Sequence, residues 1–271
     1  MSQHLFRFGL TNSSVGDLHT WTTAARRAET LGYSTFLLPD TTRTPAPFPA
    51  LAAAAAVTTS LRVGTWVLCD PLRNPRQLVW EATSLQDLCG GRFELGIGAG
   101  RPDAQTDCAE LGVPFGRPGE RIERLTGTLD LIRRALPGTR VMVAATGPRL
   151  LALAARTADT VAFGWPPATD VAGARERVDI ARTAAGERAD DLELASGLIA
   201  VGEGEHPWLA RMGTDAKTLA AVGAVTVLTG TVLRMADELE RRRDALGLSY
   251  ITVPAMAADR FAPVVARLAG R

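Results

Sequence analysis

The chain is poor in the residues that usually build metal and disulfide sites. Among 271 residues there are 3 cysteines and 3 histidines. Cys69, Cys89 and Cys108 are odd in number and lack metal-type spacing, and His4, His19 and His206 form no motif. Neither a structural metal nor a disulfide is expected. An excess of charge is also missing, with Lys+Arg 30 against Asp+Glu 29, so there is no electrostatic footprint for nucleic acid or an anionic membrane. Long apolar runs are absent too. The longest, Ala50–Val57, is too short to span a bilayer, and the start, MSQHLFRFGL, lacks the basic region and apolar core of a leader. The expectation is a cytoplasmic protein acting on small molecules. No Pro/Gly/Ser-rich linker divides the chain, and barrels of alternating strands and helices run to about 250 residues, so residues 1–271 read as one domain.

What is present is a repeated alternation of apolar, β-rich runs with helix-period segments. Eight candidate strands are Leu5–Leu10, Thr35–Leu38, Leu61–Leu68, Arg92–Ile97, Arg140–Ala144, Thr160–Phe163, Leu192–Val201 and Tyr250–Val253. Helices are expected at Leu18–Leu31, Ala50–Thr59, Gln77–Leu88, Gly119–Leu136, Pro148–Ala158, Val232–Leu246 and Arg260–Leu268. Arg101–Gly116 reads as a loop, and Asp70 and Arg73 as solvated loop charges. Eight strands, most followed by a helix, argue for a TIM-type (β/α)8 barrel, with a doubly wound open sheet as the alternative.

The stretch Leu61–Gly100 carries most of the information. It reads as strand, helix and parallel strand, and closes on Gly98-Ala99-Gly100, just past the carboxyl end of the second strand. A chain without Cβ atoms can pass close to a ligand there, on the side where barrel enzymes keep their chemistry. A dinucleotide fingerprint would need a third glycine at position 101, where Arg101 stands, followed by Pro102.

Both the leading strand and its GGRFELGIGAG end resemble the luciferase-like monooxygenase superfamily, in particular its deazaflavin (F420)-dependent oxidoreductase branch. The resemblance extends to Phe6–Asp40, Glu110–Leu136 and Thr146–Asp159. It implies a luciferase-like (β/α)8 barrel and F420 as cofactor, with FMN as the alternative. It also implies a site role for Asp40, which on its residue type alone could equally cap a turn. Many F420 enzymes of the family carry His at the next position. Here it is Thr41, which, like Thr42, can hydrogen-bond a substrate oxygen but cannot titrate near neutral pH. Where some carry an acidic Glu after the glycine cluster, this chain has Arg101, which can clamp an anion or simply be solvated. The family match places a non-proline cis peptide at Trp66–Val67 or one bond later, with Trp66, Val67 and Leu68 behind the cofactor ring. Trp66 could equally be core. Gly98 and Ala99 would approach the same ring.

The cofactor phosphate is implied at Ala145, Thr146 and Gly147, ahead of the helix opening at Pro148. Amides and dipole at a helix N-terminus favour an anion, although Thr146 could instead cap the helix. Two customary glycines of that loop are Ala144 and Ala145. The connection before strand five, Leu136-Pro137-Gly138-Thr139, is shorter than is usual in the family, which should open the pocket on that side. The resulting expectation is hydride transfer between F420 and a small organic molecule such as an imine, enone or activated alkene. The alternatives are an FMN-dependent monooxygenase, or a barrel that has lost its redox cofactor and binds a small molecule or catalyses without one. Expected partners are a small-molecule substrate, a flavin or F420 reductase, and a second copy of the chain. The homodimer would form through helices carrying Trp21, Trp80 and Leu85.

Overall fold

The computed structural model describes residues 4–14, 16–204 and 206–271, and its contacts gather into two compact units. One comprises Thr11–Glu29 and Thr35–Ala144. The other comprises the residues up to Leu10, Thr30–Ser34 and Ala145–Arg271. In chain order the elements begin with β1 (Arg7–Thr11), α1 (Leu18–Thr30), β2 (Thr35–Leu38), α2 (Pro47–Ala56), β3 (Arg62–Thr65) and β4 (Leu68–Cys69). They continue with α3 (Pro75–Leu88), β5 (Phe93–Gly98), α4 (Ala104–Glu110), α5 (Pro118–Ala135) and β6 (Arg140–Ala145).

In the unit ending at Ala144, β2, β3, β5 and β6 pair in parallel, and all six residues of β5 are buried. Parallel strands covered on both faces are continuously apolar, which is why these runs were legible. The candidate strand Leu61–Leu68 is two strands. Val63 and Gly64 pair with Phe93 and Glu94, whereas Leu68 and Cys69 pair with Ile97 and Gly98. Three residues therefore lie opposite two, and the cis Trp66–Val67 bond sits in that bulge. Thr65 ties the two strands together below it, its hydroxyl donating to Gly96 O (2.7 Å) and accepting from Gly96 N (2.9 Å). Position 96 must be glycine, because a Cβ would stand 2.1 Å from Thr65 O. Helix α3 opens as its sequence dictates. Pro75 fills the first turn, and the Asn74 side chain accepts from the amides of Arg76 and Gln77.

The chain then forms α6 (Pro148–Thr157), β7 (Thr160–Phe163), α7 (Val171–Ala185), β8 (Glu193–Gly197), β9 (Ala200–Val201), α8 (Pro207–Arg211) and α9 (Ala216–Ala221). It finishes with β10 (Val227–Leu228), α10 (Val232–Leu246), β11 (Leu248–Pro254) and α11 (Ala258–Leu268). In this unit β7, β8 and β11 are parallel neighbours, and β9 pairs with β10 in a separate two-stranded sheet. The expected seventh strand, Leu192–Val201, is thus divided. Leu198 N still bonds Thr252 O, but Ile199 N turns to Thr226 O, both at 2.8 Å. Helix α7 lies in a span to which the sequence reading assigned none, and α4 lies in the expected loop Arg101–Gly116. The short connection Leu136–Thr139 joins α5 directly to β6. Among the described residues no helix is long and apolar enough to cross a membrane.

Candidate functional site

At the carboxyl ends of β2 and β4, Asp40, the Cys69 amide and Arg73 share one hydrogen-bonded cluster. Asp40, just past β2, is buried, and its carboxylate is fully engaged. Oδ2 accepts from Cys69 N and from Arg73 Nε, each at 3.0 Å, while Arg73 Nη2 bonds Oδ1. A planar guanidinium matching a carboxylate in this bidentate way fixes both groups. Arg73 is therefore not the solvated charge its loop position implied. Asp70 is not solvated either. It is fully buried, pairs with Arg124 Nε at 3.0 Å and accepts from Thr128 Oγ1 at 2.7 Å. Burial pushes its pKa up, against the pull of Thr128 and Arg124. Arg124 also donates to the Arg73 carbonyl. Two ion pairs thus pin the Cys69–Arg73 turn, the segment that follows the cis Trp66–Val67 bond.

Trp66 and Val67 are half-buried, whereas Leu68 is inside. A Cβ added at Gly98 would lie 3.3 Å from Val67 Cγ2, so Gly98 lets the bulge pack closely on β5. Ala99 is buried beside it in sequence. Thr41 Oγ1 accepts from Arg43 N at 3.2 Å, an arrangement that leaves the hydroxyl hydrogen to be donated elsewhere. Thr42 and Arg43 both bond Asp107 Oδ1, at 2.8 and 3.4 Å. Arg101 is exposed and pairs with Asp103 at 3.3 Å. Burial pushes the Cys69 thiol up to about 12, which leaves it inert as a nucleophile at neutral pH.

In the second unit Ala145 is buried, and Thr146 and Gly147 are exposed ahead of α6. The cap position of α6 belongs to Gly147, which has no side chain to offer, and the first turn holds no acidic residue. A Cβ built on Gly147 meets nothing within 4 Å. At Gly164, by contrast, a Cβ would stand 2.6 Å from Thr146 Oγ1, and Gly164 N donates to Ala145 O at 2.9 Å. Gly164 therefore holds the Thr146 loop from below. Beyond it Trp165 stacks on Phe163. Sequence reasoning took Arg73 for a solvated charge and did not pick out Arg124, Asp107, Gly164 or Trp165. Only the Gly-Trp-Pro-Pro run after strand β7 offered a local signal.

A family model for luciferase-like monooxygenase matches residues 2–211. Over 88 residues the chain is 38% identical to a 4-hydroxyprotoasukamycin monooxygenase of Streptomyces nodosus subsp. asukaensis, covering 32% of this chain and 22% of that protein. Over 103 residues it is 37% identical to an F420-dependent glucose-6-phosphate dehydrogenase of Beutenbergia cavernae, covering 38% of this chain and 30% of that one. The matches thus span less than a third of either relative. The structure of a coenzyme F420-dependent tetrahydromethanopterin reductase from Methanopyrus kandleri superposes with a TM-score of 0.75 at 14% identity, over 98% of this chain and 99% of that one. That likeness shows the fold, the (β/α)8 barrel expected from the sequence.

Proposed function

The chain belongs to the luciferase-like monooxygenase family, and on that premise we propose that it moves a hydride between F420 and a small organic acceptor such as an imine, enone or activated alkene. The observation that carries this reading is the opening of α6, where Gly147 caps without a side chain and faces open space. First-turn amides with no acidic neighbour attract an anion, and the cofactor's phosphate is the anion such a loop would take. Thr146 would add a hydroxyl donor. The family resemblance would set Gly98, Ala99 and the bulge Trp66–Leu68 against the ring. The deazaflavin, when bound, supplies the hydride chemistry.

The protein's own residues then bind and orient. Thr41 would donate its hydroxyl hydrogen to a substrate oxygen, and exposed Arg101 would draw an anionic group. Asp40, with both oxygens held by Arg73 and the Cys69 amide, orders the turn that follows the bulge. FMN is the second reading, favoured by the Streptomyces relative named a monooxygenase. Such an enzyme would need a partner flavin reductase.

Fluorescence titration of the purified protein with F420 and with FMN tests both. Gly147 has φ −92° and an added Cβ meets nothing within 4 Å, so Gly147→Val is unstrained at the backbone, yet it would crowd the space an anion would occupy. Thr146→Ala removes a bond to a charged group, worth about 1.5–3 kcal/mol, or roughly ten- to a hundredfold in affinity. Both variants should fold normally and bind the cofactor more weakly. Unchanged affinities in both would place the phosphate elsewhere. A wild-type protein that binds neither compound would favour a barrel that works without a redox cofactor.

A further inference from the structure

At the carboxyl end of β7, Phe163 and Trp165 lie ring on ring, with centroids 4.5 Å apart and planes 9° from parallel. Phe163 is buried at 4% exposure and pairs in register with Ser196 of β8, itself at 1%. The Trp165 indole N–H donates to Ser196 Oγ at 2.9 Å. One face of the indole is therefore taken by Phe163 and its polar edge by Ser196, yet the side chain is only half-buried. The loop that carries it is tied down as well. Gly164 N bonds Ala145 O (2.9 Å), Thr169 N bonds Pro166 O (3.0 Å), and Thr226 Oγ1 donates to Pro167 O (2.5 Å).

The ring is thus stacked and hydrogen-bonded without being covered. Here the ring is held flat and part of it is left to solvent, at the strand end beside Gly164 and the Thr146 hydroxyl. Because its rotamer is fixed on folding, a ligand ring laid upon it immobilises no protein side chain, a cost that otherwise weakens binding.

We propose that Phe163 and Trp165 form a stacking platform for a planar conjugated ring. It deepens the functional reading above, since such a ring belongs either to the substrate, making the enzyme one for aromatic or extended conjugated acceptors, or to the cofactor. The platform's own geometry does not depend on the phosphate assignment.

The test titrates wild type, Trp165→Leu and Trp165→Phe with 2-naphthol, FMN and F420, following fluorescence, after near-ultraviolet circular dichroism has shown that each variant is folded. Trp165→Leu should weaken 2-naphthol or the cofactors about five- to tenfold, and Trp165→Phe, which keeps a ring but loses the bond to Ser196, should recover most of it. Loss confined to 2-naphthol assigns the platform to substrate, and loss confined to FMN or F420 assigns it to the cofactor. Either outcome supports stacking. Equal affinities in wild type and Trp165→Leu, or no binding of any probe to wild type, would overturn it. Trp165-dependent naphthol binding without cofactor binding would sink the hydride-transfer reading and leave the platform standing.

Discussion

Single side chains in this protein act through partners far along the sequence, and acid shows it most directly. Glu29, at the end of α1, accepts from the amides of Thr59, Ser60 and Leu61 at 2.9, 2.7 and 2.9 Å. Burial raises its pKa, but the amides of Ser60, Leu61 and Thr59 and the Ser60 hydroxyl outweigh that and hold the carboxyl down at about 2, against an ordinary 4.5. A group depressed on folding stabilises fully above its unfolded pKa and loses that contribution as pH falls from 4.5 towards 2. Glu29→Gln should therefore cost about 1–2 kcal/mol at neutral pH in urea unfolding, discounted for solvent screening, and nothing near pH 2. A constant difference across that range would refute the assignment. Arg73→Ala would strand the buried Asp40 carboxylate and should cost about 3 kcal/mol, with Arg73→Lys regaining part of it. Asp40 and Arg73 stand 33 positions apart, and Arg124 lies 54 from the Asp70 carbonyl it bonds, so no local pattern marks these pairs. The polar half of the candidate site was illegible for that reason.

Elements were legible where burial leaves a continuous apolar signature. β2, β7 and α10 have the bounds their sequence implies, and β5 differs by one residue at each end. Helix α7 escaped notice because its inner face is Ala174, Val178, Ala181 and Ala185, small residues that contrast weakly with their surroundings. Its local signals are only its ends, Asp170, whose side chain caps Gly173 N at 2.9 Å, and Gly186, which stops it with φ 59°. The bulge between β3 and β4 was visible only through family resemblance, since TWVLC reads as one uninterrupted strand. Gly96 is where two backbones meet. Gly96→Ala should cost more than the ordinary 1–3 kcal/mol of an overpacked core, because the added Cβ meets the Thr65 carbonyl and not a side chain that can move. A variant with wild-type thermal stability would show that β3 and β5 can part without penalty.

At the scale of the whole molecule the alternation of strands and helices was enough to indicate the fold, whereas assembly depends on which apolar residues stay outside. The homodimer expected from the sequence runs through the helices that carry Trp21, Trp80 and Leu85. Trp21 is buried, with its indole N–H on Ala50 O at 2.7 Å, and Leu85 is buried too. Trp80 is 72% exposed and Leu88 79%, and they stand eight positions apart on α3 with Ser84 between them on the same helical face. A tryptophan and a leucine lie on one exposed stripe, flanked by exposed Gln77 and Asp87. We propose that α3 packs against its copy in a two-fold, isologous homodimer, in which each substitution acts twice. Light scattering at micromolar concentration should give about twice the 28.7 kDa of the chain. Trp80→Glu should bring two carboxylates into the contact and shift the mass to the monomer, while Trp21→Phe should leave assembly intact and only loosen the α1 packing. A monomeric wild type, or a Trp80→Glu protein that keeps the dimer mass, would assign the exposed stripe to something other than self-association.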